Sequence, residues 1–505
     1  MGAMFLSSLA HVPPAPPARR WTTASAPRAA RPLAAACLAL SLLACAKRAP
    51  TPQPETVTTS SAGAGASAAR PGASSATTAA VLPVLKQGLP WYEDAPEAAF
   101  AAAQAEGKLL LVDLWAPWCH SCLSMQSFVL TAQNFPALTR RFILLAIDTE
   151  RAENAAFLEK LPVTVWPTFY VTNPASEVLG RWLGTAGAAE FTRFLAESDR
   201  AAELRNSDQL PASDPRVPLA LADQLATRRE FAQAAEKYAQ ALAQAPADWP
   251  RRPETLVAQI TALSKIRADR ACLELAAGAL DQTGLAVSAV DFASYALSCA
   301  DDAPEGDALA ARVRSNAERL LRGLCERTES ELTPDDQAGA CASLAEARTA
   351  LGNAPGARSV MERRLAILER AAAGLPDSVA VALDWALIDS LITLGRAQEA
   401  LDRSVQRERA LPDNYNPPHY QAKALKALGR PDEGLAALQR SLALAYGPRR
   451  ISLLTLKIDL LLAAGRRPQA REVLVEQLAQ YRALPDPQKQ PVQLARLEKR
   501  LSEWQ

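Results

Sequence analysis

Seven consecutive residues, Leu109-Leu110-Leu111-Val112-Asp113-Leu114-Trp115, carry one polar side chain, and two cysteines three apart, Cys119 and Cys122, follow almost at once. So nearly continuous an apolar run describes a strand covered on both faces, which puts it inside a sheet flanked by helices. The neighbouring sequence keeps that rhythm. Asp94 and Pro96 are suited to begin a helix, alanines fill it, and Gly107 stands where a glycine closes one. Cys119-His120-Ser121-Cys122 opens the next helix. Phe142 to Ile147 reads as a second buried strand, Glu150 to Lys160 as a helix, and Trp166-Pro167-Thr168-Phe169 as the lead into a third strand. Residues 177–183 read as an edge strand, broken by Gly180 and Gly184, and 187–197 as a closing helix. The expected α/β domain spans 82–199.

The segment Val112-Asp113-Leu114-Trp115-Ala116-Pro117-Trp118-Cys119-His120-Ser121-Cys122, with Trp166-Pro167-Thr168 farther along, resembles the thioredoxin superfamily. Ala105-Glu106-Gly107-Lys108 is similar to its periplasmic thiol–disulfide interchange branch. The resemblance implies a thioredoxin fold and a redox-active Cys119–Cys122 disulfide that exchanges with protein thiols and disulfides, with no other cofactor and no metal. Physical chemistry explains the spacing. Cysteines three apart in a first helical turn share a face and can close a disulfide without unwinding it. Cys119, at the amino end, meets free N–H groups and the macrodipole, which lower its thiol pKa and make it the attacking thiolate; Cys122 resolves the mixed disulfide. Asp113 is the expected proton acceptor for Cys122, because burial raises a carboxylate pKa toward the working range. Pro167 matches the family's cis-proline, and Trp118, Trp166 and His120 are the expected substrate contacts. A protonated His120 would stabilise the Cys119 thiolate and make the disulfide more oxidising. Leu144 falls about where thioredoxins place a lysine near the buried acid. A zinc site would need a second cysteine pair or nearby histidines, and the segment offers neither beyond His120.

Composition narrows the alternatives. The chain has 505 residues and a net charge of +1, so a broad basic footprint for nucleic acid is absent. It has three histidines, His11, His120 and His419. That leaves almost no material for a multi-histidine metal site or a Ser-His-Asp hydrolase.

Beyond a 200–217 linker the strand signals vanish, and 218–505 is rich in Ala, Leu, Arg, Gln and Glu. Leu394-Gly395-Arg396 recurs 34 residues on as Leu428-Gly429-Arg430, and 36 after that as Ala464-Gly465-Arg466. Small residues, Ala400, Gly434 and Ala470, stand five past each glycine. Phe231, Ala234, Tyr238, Ala241 and Pro246 mark an earlier unit. The pattern resembles tetratricopeptide repeats, whose small residues let paired antiparallel helices pack closely. The expectation is an all-α repeat solenoid that binds a protein partner. Cys272, Cys299, Cys325 and Cys341 lie here, where two disulfides have three connectivities and neighbour pairing would staple adjacent helices; buried free thiols remain the alternative.

At the amino terminus, Leu33 to Ala44 forms an apolar run preceded by arginines. It is too short to span a bilayer and of the right length for a signal peptide, expected over 1–44. Leu42-Leu43-Ala44-Cys45 resembles a bacterial lipobox, implying lipidation of Cys45. Ala46, rather than Asp, after the cysteine resembles outer-membrane rather than inner-membrane lipoproteins. The Ala/Ser/Thr/Pro/Gly stretch within 45–81 reads as a flexible tether. Together these features describe a multi-domain, membrane-anchored periplasmic thiol–disulfide oxidoreductase, reducing rather than oxidising or isomerising protein disulfides. Its electrons would come from a membrane thiol reductant, and its helical repeats would bind the partner. The competing expectation is a repeat scaffold lipoprotein whose redox domain binds or senses.

Overall fold

A computed structural model describes residues 81–205, 210–327 and 332–504 of the chain. Cys45, the lipobox and nearly all of the 45–81 tether lie outside the described residues.

The first part is a six-stranded mixed sheet in the order β1-β2-β4-β3-β5-β6. Its strands are β1 (Val84–Lys86), β2 (Leu89–Glu93), β3 (Leu109–Trp115), β4 (Phe142–Asp148), β5 (Thr168–Thr172) and β6 (Val178–Leu183). The helices are α1 (Pro96–Glu106), α2 (His120–Ser124), which continues as a π-helical turn over Met125–Val129, α3 (Leu138–Arg141), α4 (Ala155–Lys160) and α5 (Ala188–Arg205). Strand β3 is central, parallel to β4 and antiparallel to β5, which is why its sequence is apolar on both faces. Side chains alternate between those faces. Leu110, Val112 and Leu114 pack with Ala99, Ala103 and Leu158. Leu109 and Leu111 pack with Met125, Val129, Phe191 and Phe194. Asp113 has the parity of Leu109 and Leu111, so it lies on the face covered by the helix that follows the cysteines.

Several boundaries differ from expectation. Strands β1 and β2 give no strong sequence signal: Gln87-Gly88 turns between them, and Leu82, Val84 and Leu85 remain exposed. Asp94 does not cap α1; its carboxylate accepts from the Asp148 and Asn154 nitrogens, both at 2.8 Å, and ties the β2 end to the β4 end. The helix expected over 150–160 is a 3-10 turn followed by the short α4. The turn is held by the Asn154 side chain, which donates to the Asp94 carboxylate and the Asp148 carbonyl, both at 2.8 Å. Helix α5 runs eight residues past 197, into the span expected to be linker.

From Arg216 the chain is helical throughout its described length. The array comprises α6 (Arg216–Thr227), α7 (Phe231–Gln244), α8 (Arg252–Lys265), α9 (Asp269–Ala279), α10 (Ser288–Asp301), α11 (Ala308–Glu326), α12 (Pro334–Ala350) and α13 (Ala354–Ala372). It continues with α14 (Asp377–Thr393), α15 (Ala397–Ala410), α16 (Asn416–Ala427), α17 (Pro431–Leu444), α18 (Gly447–Ala463), α19 (Arg467–Ala483) and α20 (Pro491–Ser502). Ala400 and Ala470 are fully buried, and a side chain on Gly434 would meet Leu460, so close helix approach is what those positions require. The stretch with the weakest repeat signal is helical too, and it is stapled by Cys272–Cys299 and Cys325–Cys341.

The first helix of each pair faces the sheet domain. Helices α6 and α8 pack on β6, so the expected edge strand is covered. Lys265 on α8 donates to the Thr164 carbonyl at 2.9 Å. At the start of α10, Ser288 and the Val287 N–H meet the buried Glu190 carboxylate, both at 3.1 Å. Helices α12, α14, α16 and α18 continue the row. Val165 and Leu183 belong to the same apolar core as the array, so the two parts share one interior.

The tightest approach to backbone among the described glycines is at Gly447, which opens α18 with φ +54° against the Glu150 carbonyl. A Cβ there would overlap backbone, which cannot yield as a side chain end can. Gly465, at the α18–α19 turn, has φ +74° but open space around it. Both Gly→Ala changes incur left-handed strain of about 1–3 kcal/mol, and only Gly447→Ala adds a clash. Urea titration should therefore show Gly447→Ala to be the more destabilising, with Gly465→Ala confined to the strain alone.

Candidate active site

The Cys119–Cys122 disulfide sits where the sequence places it, at the start of α2. Cys119 is the N-cap, and its sulfur accepts the Cys122 N–H at 3.1 Å. One free N–H of the helix start thus meets the sulfur expected to attack. The pair forms a small cluster with Ala116, against which Trp115, Trp118 and Trp166 pack. Trp166-Pro167 is a cis peptide, and its loop brings Trp166 to 5.3 Å from Trp118 between ring centroids. The Trp166 indole donates to the Thr149 hydroxyl at 2.9 Å.

Asp113 is almost fully buried (1% exposed), and one of its oxygens accepts from Gln126 on the π-helical turn at 2.8 Å. Burial pushes its carboxyl up to about 7, against weaker opposition from Gln126 and the charge of Lys86. Lys86 comes from β1, while Leu144 is buried in β4 beside Trp91. The cation that acts on the acid therefore arrives from a strand with no sequence signal. Among the described residues the other Asp113 oxygen has no hydrogen-bond partner. A carboxyl near neutrality, half satisfied and on the α2 face of β3, is suited to exchange a proton with a thiol above it.

A second buried acid, Glu150, was not foreseen. Its carboxylate accepts from the Trp118 indole at 2.8 Å and from the Arg449 backbone N–H. Burial raises its carboxyl to about 7 as well, those two hydrogen bonds opposing it. A glutamate after a strand gives no sequence hint of this, because its partner lies 299 residues away.

His120 turns into the array. Its Nδ1 lies 2.8 and 2.9 Å from the two oxygens of Asp335, which is fully buried, and its ring stacks on Trp385 at 4.3 Å and 7°. The expected substrate contact at His120 is therefore taken by the chain itself. Around it, the Ser124 and Thr333 hydroxyls meet at 2.9 Å, Asn416 donates to the Pro117 carbonyl at 2.9 Å, and the Arg449 guanidinium lies 5.6 Å from the Trp118 ring centroid. The Tyr446 hydroxyl donates to Asp148, and Gln488 donates to the Thr149 and Arg151 carbonyls at 2.9 and 3.0 Å. Cys119 is 2% exposed and Cys122 fully buried; Trp118 and Trp166 are half-buried members of the cluster. The first helices of the repeat pairs thus hold this domain.

Residues 96–198 match the family model of a thioredoxin-like domain. Over 111 residues the chain is 31% identical to the thiol:disulfide interchange protein DsbD of Yersinia enterocolitica, covering 21% of this chain and 19% of that one. Over 104 residues it is 29% identical to DsbD of Yersinia pestis, covering 20% and 18%. The chain thus spans about a fifth of the length of these curated relatives. Among solved structures, a thermophilic TPR protein of Thermus thermophilus aligns at 17% identity and TM-score 0.26, covering 42% of this chain and 98% of that one. The assembly chaperone of RpL4 aligns at 16% identity and TM-score 0.28, covering 57% and 97%.

Asp113→Asn isolates the buried acid. Its raised pKa means the folded state holds the proton that the unfolded state releases, so stability falls as pH rises from about 4 to about 7 and stays reduced above. The substitution should stabilise the oxidised protein more at pH 8 than at pH 5 in guanidinium titrations. It should also slow release of a mixed disulfide by about 100-fold, read by quench and alkylation.

Proposed function

Taking residues 96–198 as a thioredoxin-like domain, we propose that this protein is a thiol–disulfide oxidoreductase that reduces protein disulfides through Cys119 and Cys122. The observation that carries the proposal is the cysteine pair at a helix start, packed against the Trp166-Pro167 loop on the sheet face that holds Asp113. In the reaction the Cys119 thiolate attacks a substrate sulfur, and one substrate thiol leaves. Cys122 then gives its proton toward Asp113 and attacks Cys119, releasing the second thiol. Two electrons and two protons pass to the substrate, and the Cys119–Cys122 bond re-forms.

Access along the half-exposed Trp118 and Trp166 edge suits an extended segment of a substrate better than a folded surface, because α12, α14, α16 and α18 cover the rest. The similarity to DsbD supports a periplasmic setting. Lipidation of Cys45, attachment to the outer membrane, and electron supply by a membrane thiol reductant belong to the same reading and rest on the sequence. A second reading is favoured by the burial of Cys119: the array is a scaffold and the disulfide a sensor within it.

Reduction of insulin by the full chain with a dithiol donor tests the first reading. Turnover should fall at least about 100-fold in Cys119→Ser, and Cys122→Ser should accumulate a mixed disulfide. Wild-type turnover no faster than either variant would leave the sensor reading in possession.

A further inference from the structure

The array does more at the cysteine pair than cover it. Asp335 lies in the first turn of α12, where the helix dipole favours an anion, and a capping box fixes that turn: Asp336 N–H donates to the Thr333 hydroxyl at 3.1 Å, and Asp336 answers the Thr333 N–H. The carboxylate is therefore placed before it meets anything from the sheet domain. What it meets is the Nδ1 of His120, the residue directly after Cys119, with both oxygens in range. Trp385, from α14, sets the plane of the same ring by stacking on it. The imidazole is thus held on one edge and on one face. Its surroundings are also charged: Asp389, bonded to Arg364 at 2.7 Å, senses His120 electrostatically, and Lys423 and Asp336 stand near the same cluster.

We propose that Asp335 is a positioning residue of the redox centre, fixing the His120 imidazole beside Cys119 so that the array takes part in setting the reduction potential of Cys119–Cys122. The proposal rests on the oxidoreductase reading. The two groups act as one unit: the Asp335 carboxylate holds Nδ1–H, and the oriented ring stabilises the Cys119 thiolate and hence the reduced form. Either substitution, His120→Asn or Asp335→Asn, removes the same effect.

The experiment is redox equilibration of the full chain with glutathione, in which the Cys119–Cys122 bond breaks, two glutathione thiols supply two electrons and two protons, and glutathione disulfide forms. The equilibrium constant is read by trapping free thiols at Cys119. Each single variant should move the constant toward the disulfide by about threefold to tenfold, up to one pKa unit of interaction. The double variant should move it no farther than the larger single change. Asn416→Ala, which removes the contact to Pro117 without touching the ring, should leave the constant where it was and so separates positioning from mere docking. A constant unchanged in Asp335→Asn, a shift that adds to that of His120→Asn, or an equal shift in Asn416→Ala overturns the proposal while leaving the oxidoreductase reading intact. A wild-type centre that neither equilibrates with glutathione nor reduces insulin overturns both.

Discussion

The structure depends on one constraint: the first helices of the repeat pairs present a face that must be covered, and the sheet domain covers it. Val165 and Leu183 join the array core, and the buried carboxylates of Glu190, Asp148 and Glu150 each find a partner across the boundary. Glu150 shows the requirement most clearly. A carboxylate sealed from water is costly unless donors reach it, and here one donor comes from each side, the Trp118 indole and the Arg449 N–H. Remove the array and Glu150, Asp148 and His120 each lose a partner. The two parts are therefore better described as one folding interior than as modules on a string.

That arrangement concentrates perturbed acids around the sulfur pair. Asp113 and Glu150 both sit near neutrality, and for both the first cause is burial. They differ in what opposes it. One Asp113 oxygen has no partner among the described residues, whereas Glu150 is held by hydrogen bonds on the two sides of the boundary. The first is suited to the proton exchange proposed for it and the second to cohesion, a division that environment rather than residue type decides.

Sequence reading recovered what local pattern encodes. The β3 run, the Cys119-x-x-Cys122 spacing, Pro167 and the glycine-marked repeat turns each carry their own signal, and all appear in place. It missed what arises only from association of distant segments. Asp335 could be read as part of a helix start from Thr333-Pro334-Asp335-Asp336, but nothing in those four residues names His120 as its partner. Strands β1 and β2 escaped because they are short, and β1 is apolar yet exposed at the sheet edge, so periodicity is uninformative there. Helix α5 overran its expected end because Ala201, Ala202 and Glu203 are good helix formers, and no glycine or proline stops them before Arg205.

The three disulfides hide their sulfur by different means. Cys325 and Cys341 lie within their own helices, as do Cys272 and Cys299, and reaching them means melting the elements that carry them; each cross-link lowers unfolded-chain entropy by about 3 kcal/mol in the loop model. Cys119 instead stands at a helix start, packed among Ala116, Trp115, Trp118 and Trp166. Its helix need not melt for a reductant to reach it, but the buried pairs that join the array to the sheet domain lie around it, so its barrier differs in kind from that of the two array disulfides.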